Sequence, residues 1–389
     1  MPRICHLITR FILGGAQRLA LETCASLRDR GWDVELWTGP QTGAEGSLHE
    51  EARNRRLPLR LVPHLVREIS VLADAQAYGW LRRELRRERF DILHTHSSKA
   101  GILGRLAGAD AGVPIRVHSV HGWAMTPETS GAARLLYTAL ERYAARRTTR
   151  LVAVSDWVKQ TGLAAGIGRP QQYRVIRGGI VFPGATDVAT RSRRRRELGL
   201  PEDAVVLGTL GRLDPAKDPL GALEGALPLI RDDPRLHLVF IGDGRLRARM
   251  ERARERSGLG SRVMLAGLRH DGSHFLPALD VFFLSSRWEG FPLVVIEAMA
   301  AGLPVVSFDV AGVREAVEDG RTGYLVPPGD RATWTRRLGE LARDASRRRI
   351  FGDRGRESAR ARFSLETMME ETEGFYRALL SGNQISVSS

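Results

Sequence analysis

Ser285-Ser286-Arg287-Trp288-Glu289-Gly290-Phe291-Pro292-Leu293-Val294-Val295-Ile296-Glu297-Ala298-Met299-Ala300-Ala301-Gly302-Leu303-Pro304 is the stretch on which the reading of this 389-residue chain turns. Just before it, Val281-Phe282-Phe283-Leu284 is a short apolar run of β-branched and aromatic character, the signature of a buried strand in a parallel sheet. Just after the loop, Pro292 suits the first helical position, Gly302 the left-handed position past the helix end, and Pro304 forbids continuation. The stretch is therefore predicted as strand, loop and helix, with Glu289 in the loop and Glu297 inside an otherwise apolar helix. A charge buried there needs a partner. A salt bridge to one of the many arginines is one answer. The helix start offers another, because the amides of Gly290 and Phe291 lie where unpaired N–H groups and the helix dipole favour an anion such as phosphate. Glu297 follows Pro292 by five residues, about 7 Å along the axis at roughly 1.5 Å per residue. Its carboxylate could accept from sugar hydroxyls attached to that phosphate, and two carboxylates flanking one phosphate site suit a nucleoside diphosphate sugar.

Glu289 and Glu297, seven residues apart in the interval and with Gly290-Phe291-Pro292 after the first, resemble the paired-glutamate motif of retaining GT-B glycosyltransferases of family 4, the glycosyl transferases group 1. The resemblance extends over nearly the whole chain. It implies an α/β fold of GT-B type, two facing doubly wound Rossmann-like domains with an interdomain cleft. It also implies that Glu297 holds ribose hydroxyls and Glu289 lies by the transferred sugar, with Gly290, Phe291, Pro292 and Leu293 lining the substrate loop. Residues 205–213 read as a strand running through Gly211 into a loop that carries Arg212 and Lys217, one fork-shaped and one point-like cation suited to a diphosphate. They resemble the family's diphosphate-binding pair, although Asp218 stands where glycine is common. Residues 265–269, with Gly267 and Arg269, resemble the strand end that reads the nucleobase mainly through backbone atoms, and Gly242-Asp243-Gly244 resembles a family turn.

The first half matches in the same way. Gly14-Gly15 follows the strand 3–9 and opens a helix, which lets backbone approach a ligand or simply makes a tight turn. Gly15 is the position the resemblance assigns to the cleft; Gln17 stands where family members often carry Glu. His121 closes the strand 115–122, at the end of the sheet where open α/β folds bind ligands, and resembles the histidine that reaches the donor sugar. Lys99 resembles a cleft-lining position of some polysaccharide-building members.

Length is sufficient for two domains with ample cores, and 43% hydrophobic residues is ordinary for a globular α/β protein. Two cysteines, Cys5 and Cys24, fall in core-like segments and imply no disulfide framework. With neither a signal-peptide pattern nor an apolar run near the roughly 20 residues of a spanning helix, a cytoplasmic protein is expected. The net charge of +14 is uneven: residues 1–177 hold 27 basic against 16 acidic groups, the remainder 32 against 29. The basic half suits an anionic membrane, a phosphate-bearing acceptor or nucleic acid. No aromatic-interleaved basic strand supports nucleic acid. Residues 73–89, with Arg82, Arg83, Arg86, Arg87 and Arg89 interleaved with Trp80, Leu81 and Leu85, read as a basic amphipathic helix able to dock peripherally on the inner face of the cytoplasmic membrane.

The expected organisation is an acceptor-binding domain over 1–181, a linker over 182–196 where composition breaks around four consecutive arginines, and a nucleotide-sugar-binding domain over 197–363. A helix over 364–381 crosses back to the first domain and a polar tail covers 382–389. The expected reaction moves a hexosyl or N-acetylhexosaminyl group, with retention, from a UDP-sugar rather than a GDP-sugar to a lipid-linked saccharide in cell-surface polysaccharide assembly. His121, Arg212, Lys217 and Glu289 are the expected catalytic residues. No Asp-x-Asp motif ends a strand, so no obligatory metal and no cofactor are expected. Transfer to a small natural product, nucleotide-sugar epimerisation or hydrolysis, and, from a different class, a basic membrane- or nucleic-acid-binding role are the alternatives.

Overall fold

Short, mostly apolar runs of three to six residues alternate with helical periodicity along the chain, and these runs become the strands of two parallel sheets. The computed structural model describes residues 1–41, 46–126, 128–184, 187–269 and 271–382. It divides into Met1–Gly179 with Leu365–Ser389, and Ile180–Ser364. The tail beyond 382 lies outside the described residues.

In the first unit the strands are β1 (Arg3–Ile8), β2 (Asp33–Thr38), β3 (Leu59–Leu61), β4 (Ile92–His96), β5 (Ile115–Val120), β6 (Arg150–Ala153) and β7 (Tyr173–Val175). Helices α1 (Gly15–Asp29), α2 (His49–Asn54), α3 (Val71–Glu88), α4 (Ser98–Ala111), α5 (Gly131–Ala145) and α6 (Asp156–Ala164) connect them. The order in the sheet is β3-β2-β1-β4-β5-β6-β7, so the winding reverses between β1 and β4. In the second unit α7 (Val188–Glu197) precedes β8 (Val205–Leu210), α8 (Pro219–Asp232), β9 (Leu236–Ile241), α9 (Arg247–Ser257) and β10 (Val263–Gly267). Next come β11 (Val281–Leu284), α10 (Leu293–Ala300), β12 (Val305–Phe308), β13 (Gly323–Val326), α11 (Arg331–Arg343) and α12 (Ala345–Arg362). Their order, β10-β9-β8-β11-β12-β13, reverses between β8 and β11. Loops leaving the carboxyl ends of the two strands at a reversal form the crevice where such sheets take ligands.

The last helix, α13 (Leu365–Leu380), groups with the first unit. Its buried Met368, Met369, Thr372, Phe375 and Tyr376 recur at helical spacing on one face. Each such apolar side chain contributes about 1.5–3 kcal/mol on burial, which is ample to hold a helix of this length.

Two expectations need correction. The stretch 182–196 is not a plain linker, because it contains most of α7, capped by Asp187 accepting from the Thr190 amide at 2.7 Å. Arg191 and Arg195 lie one turn apart and both reach Asp280, at 2.7 and 2.8 Å; Arg195 is fully buried and also donates to the Ala278 and Glu202 carbonyls. A charge-rich composition resembled a linker because its partners lie some 80 residues away. Pro292 also sits one position earlier than expected, capping α10 rather than occupying its first turn.

Candidate active site

The loop after β8 and the loop after β11 meet at the reversal point of the second sheet. Ser285 Oγ donates to the Lys217 carbonyl at 2.7 Å and the Arg287 amide to the Ala216 carbonyl at 2.8 Å, which fixes the two loops to each other. Lys217 Nζ donates to Glu289 Oε1, and Ser286 Oγ donates to the same oxygen at 2.5 Å. Glu289 is buried, so its charge is answered by a cation and a hydroxyl rather than by water. Arg212 is half exposed, with its guanidinium on Asp214 at 2.6 Å. Arg212, Lys217, Gly211 and Ser285 line one pocket at this point.

Several residues expected here are positioned for stated reasons. Asp218 adopts φ +43°, ψ 50°, the left-handed region that explains why glycine is usual there; an Asp side chain tolerates it better than most. Its carboxylate is taken by Arg331 at 2.8 Å and approached by Arg287 at 3.6 Å. Gly312 is required by close approach, since a Cβ there would lie 2.2 Å from the Gly290 carbonyl oxygen. Gly242 is likewise a packing requirement, a Cβ there meeting the Gly211 carbonyl oxygen at 2.0 Å, while its amide donates to the Gly267 carbonyl at 2.9 Å. Arg269 is exposed and lies over the Phe275 ring. Phe291 packs edge-on against Phe363, and Leu293 is buried at the start of α10. Glu297 is a correction: it is only partly buried, sharing with Val294 the open stripe of α10, positions three apart on a helix being neighbours.

In the first unit, Gly15 is exposed at the start of α1. The loops after β1 and β4 are joined by Thr9 Oγ1 and Ser97 Oγ at 2.7 Å, and the Ala100 amide donates to Thr9 Oγ1 at 3.0 Å. Ser97 is held at φ +62°, ψ 155°, backbone that L-residues rarely adopt. Lys99 is engaged by Asp74 at 2.6 Å and by the Glu68 carbonyl, so it ties α4 to the start of α3. His121 is partly buried at the end of β5, with Nε2 at 3.0 Å from His96 Nδ1. Burial pushes its imidazole down to about 4, so the ring is neutral near pH 7.

The arginines of α3 are exposed, as the basic helix requires, and several of them also have partners. Arg83 and Arg87 pair with Glu84, Arg87 also with Glu88, and Arg86 donates to the Asp110 carbonyl, while Trp80 packs against Trp37 and Leu81 and Leu85 are buried. Exposed apolar side chains occur at the start of α3, where Val71 and Leu72 are open, and on α5, where Leu135 is 74% exposed and Leu136, Leu140 and Tyr143 follow on the same side. Arg134, Arg142 and Arg146 flank them, also exposed. The spacing of this face was available in the sequence. Sequence reasoning also missed the buried histidines: His6, His94 and His96 are fully enclosed, and their ligating atoms lie within 4.8 Å of one another.

Residues 190–358 match the family model of Glycosyl transferases group 1, and residues 14–179 that of the Glycosyl transferase 4-like domain. The UDP-Gal:alpha-D-GlcNAc-diphosphoundecaprenol alpha-1,3-galactosyltransferase of Escherichia coli is 33% identical over 332 residues, 84% of each chain. The chain belongs to the group 1 glycosyl transferases. This glycosyl transferase is also similar to the D-inositol 3-phosphate glycosyltransferase of Saccharomonospora viridis, 29% identical over 95% of this chain and 90% of that one. Its GT-B fold is that of Anabaena HepE, solved in complex with UDP and glucose, with a TM-score of 0.84 at 22% identity over 97% of this chain and 100% of that one. Among the described residues of the transferase no helix is long and apolar enough to cross a membrane.

Proposed function

We propose that this glycosyltransferase moves a hexosyl or N-acetylhexosaminyl group from a UDP-sugar to a lipid-linked saccharide, with retention of anomeric configuration. The observation that carries the reading is the pairing of Lys217 with Glu289 across two loops at the sheet reversal, beside Arg212. A diphosphate entering there would take the ammonium and the guanidinium as its counter-charges, and the same groups would stabilise the charge that develops on the leaving diphosphate. Glu289 would then be released towards the transferred sugar, and Glu297, on the open stripe of α10, would accept from ribose hydroxyls. Gly267 and Arg269 would lie against the base, Gly290 and Phe291 against the distal phosphate, and His121 would bind a sugar hydroxyl.

Support for UDP and for a lipid-linked acceptor comes from the Escherichia coli relative, whose name specifies both. Two side-chain cations and helix-start amides supply the positive charge that a divalent ion supplies in other transferases, so the reaction is proposed to need no metal. Membrane contact is assigned to the apolar face of α5 with its flanking arginines rather than to α3. Such a face inserts at the headgroup boundary, and each basic residue beside an anionic surface adds roughly 1 kcal/mol. A thermal-shift screen of UDP-, GDP- and ADP-sugars tests the donor: UDP-sugars are expected to raise the melting temperature of wild type and not of Arg212→Ala. A shift with GDP-sugars alone would overturn the assignment of the base.

A further inference from the structure

Strand β4 departs from the apolar rule of a central parallel strand, since His94, Thr95 and His96 are all buried. Alternation puts His94 and His96 on one face of the sheet, and the register sets His6 of β1 opposite His94 and Ser119 of β5 opposite His96. Tyr376 of α13 covers that face, fully buried. Apolar side chains would fill this space without the cost of enclosing polar rings, so their hydrogen bonds are informative. They form one unbranched chain. His121 Nε2 meets His96 Nδ1 at 3.0 Å, His96 Nε2 meets His6 Nδ1 at 2.9 Å, and His6 Nε2 meets the Tyr376 hydroxyl at 3.3 Å. The hydroxyl also contacts His94 Nδ1, whose Nε2 meets Ser119 Oγ at 2.7 Å.

Every ring in the chain is driven towards its neutral form by burial. A neutral imidazole donates with one nitrogen and accepts with the other. The direction of donation therefore propagates along the chain, and the Tyr376 hydroxyl, with a single proton and two imidazole neighbours, sets it. A hydroxyl donor sits closer to its acceptor than an N–H donor does, and the His94 side is the shorter of the two contacts. With Tyr376 donating to His94, its oxygen accepts from His6 Nε2–H; His96 then donates from Nε2 to His6, and His121 from Nε2 to His96. We propose that Tyr376, acting through His6 and His96, is a positioning residue that fixes the ring orientation and the Nε2–H tautomer of His121. The Nδ1 lone pair of His121 is thereby left to accept from a hydroxyl of the transferred sugar, a consequence that rests on the donor-site reading of His121. The same rings are a poor metal cage. His6 Nδ1 and His96 Nε2, at 2.9 Å, are closer than the roughly 3.4 Å that separates two nitrogens on a tetrahedral ion at about 2.1 Å.

Ring-nitrogen NMR on protein labelled with ¹⁵N-histidine tests this, with the His121 signals assigned by their loss in His121→Gln. Wild type is expected to hold His121 as a single Nε2–H tautomer. Tyr376→Phe keeps the aromatic packing and removes the hydroxyl; it is expected to convert His121 to a mixture of tautomers and to lower kcat about tenfold, with the donor KM within about twofold. Ser119→Ala, at the other end, is expected to shift His94 and leave His121 unchanged. His6→Phe breaks the chain one link nearer and must reproduce the Tyr376→Phe signals if that variant folds poorly. Unaltered His121 signals in both Tyr376→Phe and His6→Phe, or one equivalent of zinc bound by these rings in wild type, would overturn the proposal. Mixed tautomers with wild-type kcat would leave the relay standing and remove His121 from the donor site.

Discussion

Lys217→Met separates the structural from the chemical role of the Lys217–Glu289 pair. Glu289 is 8% exposed and Lys217 approaches it through a side chain 25% exposed. Removing the ammonium leaves a buried carboxylate whose other partner among the described residues is Ser286 Oγ at 2.5 Å. Breaking a buried pair from one side costs about 3–5 kcal/mol, and partial access of water to Lys217 places the expectation near about 3 kcal/mol. Glu289→Gln on top of Lys217→Met removes the stranded charge and is expected to recover about 2 kcal/mol, a clear non-additivity. Because the chain has two units, hydrogen exchange at the β8 and β11 amides is the appropriate stability readout. Turnover behaves differently: each single variant is expected to lose about 10²-fold or more, and the double variant to recover none of it. Stability losses that simply add would refute the pairing argument. Wild-type turnover in folded Lys217→Met would refute the leaving-group role.

Acid should loosen the first unit through its histidines. The His6 ring is pushed down to about 3 by burial, so its contribution is complete above the unfolded value near 6.5 and is lost as pH falls below it; at pH 5 the loss is about 2 kcal/mol. Urea unfolding followed in the first unit at pH 7.5 and 5 checks this, and equal midpoints would contradict it. Asp218→Gly exchanges left-handed strain for the loss of the Arg331 contact and should retain turnover within about threefold, whereas Asp218→Val should lower stability by more than about 1 kcal/mol; thermal melts of the pair decide. Co-sedimentation with anionic vesicles should be abolished by Leu135→Asp with Leu136→Asp and little changed by reversing Arg83 and Arg87, which already have carboxylate partners. Binding that follows the α3 arginines instead would restore the helix read from composition.

Much of the fold was legible because its strands are apolar runs and its turns are marked by residues with one physical use. Gly302, at φ +79°, ends α10 where the sequence places a left-handed position. The loops after β8 and β11 were legible for a similar reason: Arg212, Lys217 and Glu289 lie in strand-end contexts that carry their own punctuation. The failures concern partners distant in sequence. The arginines of α7 looked like the charge of a linker, yet Asp280, more than 80 residues on, answers Arg191 and Arg195. Glu297 looked buried because periodicity does not say which stripe of a short helix remains open. The chain from His121 to Tyr376 joins four segments across 370 residues, and no spacing rule brings those segments together.

The most direct measurement of the account is the product formed when a UDP-sugar, a lipid-linked saccharide and the enzyme are incubated in excess chelator and the new linkage is read by NMR. The account expects product only when acceptor is present, with the anomeric configuration of the donor and undiminished by the chelator. An inverted linkage, free sugar or an epimerised donor in place of product, or activity restored only by Mg²⁺ or Mn²⁺, would contradict it.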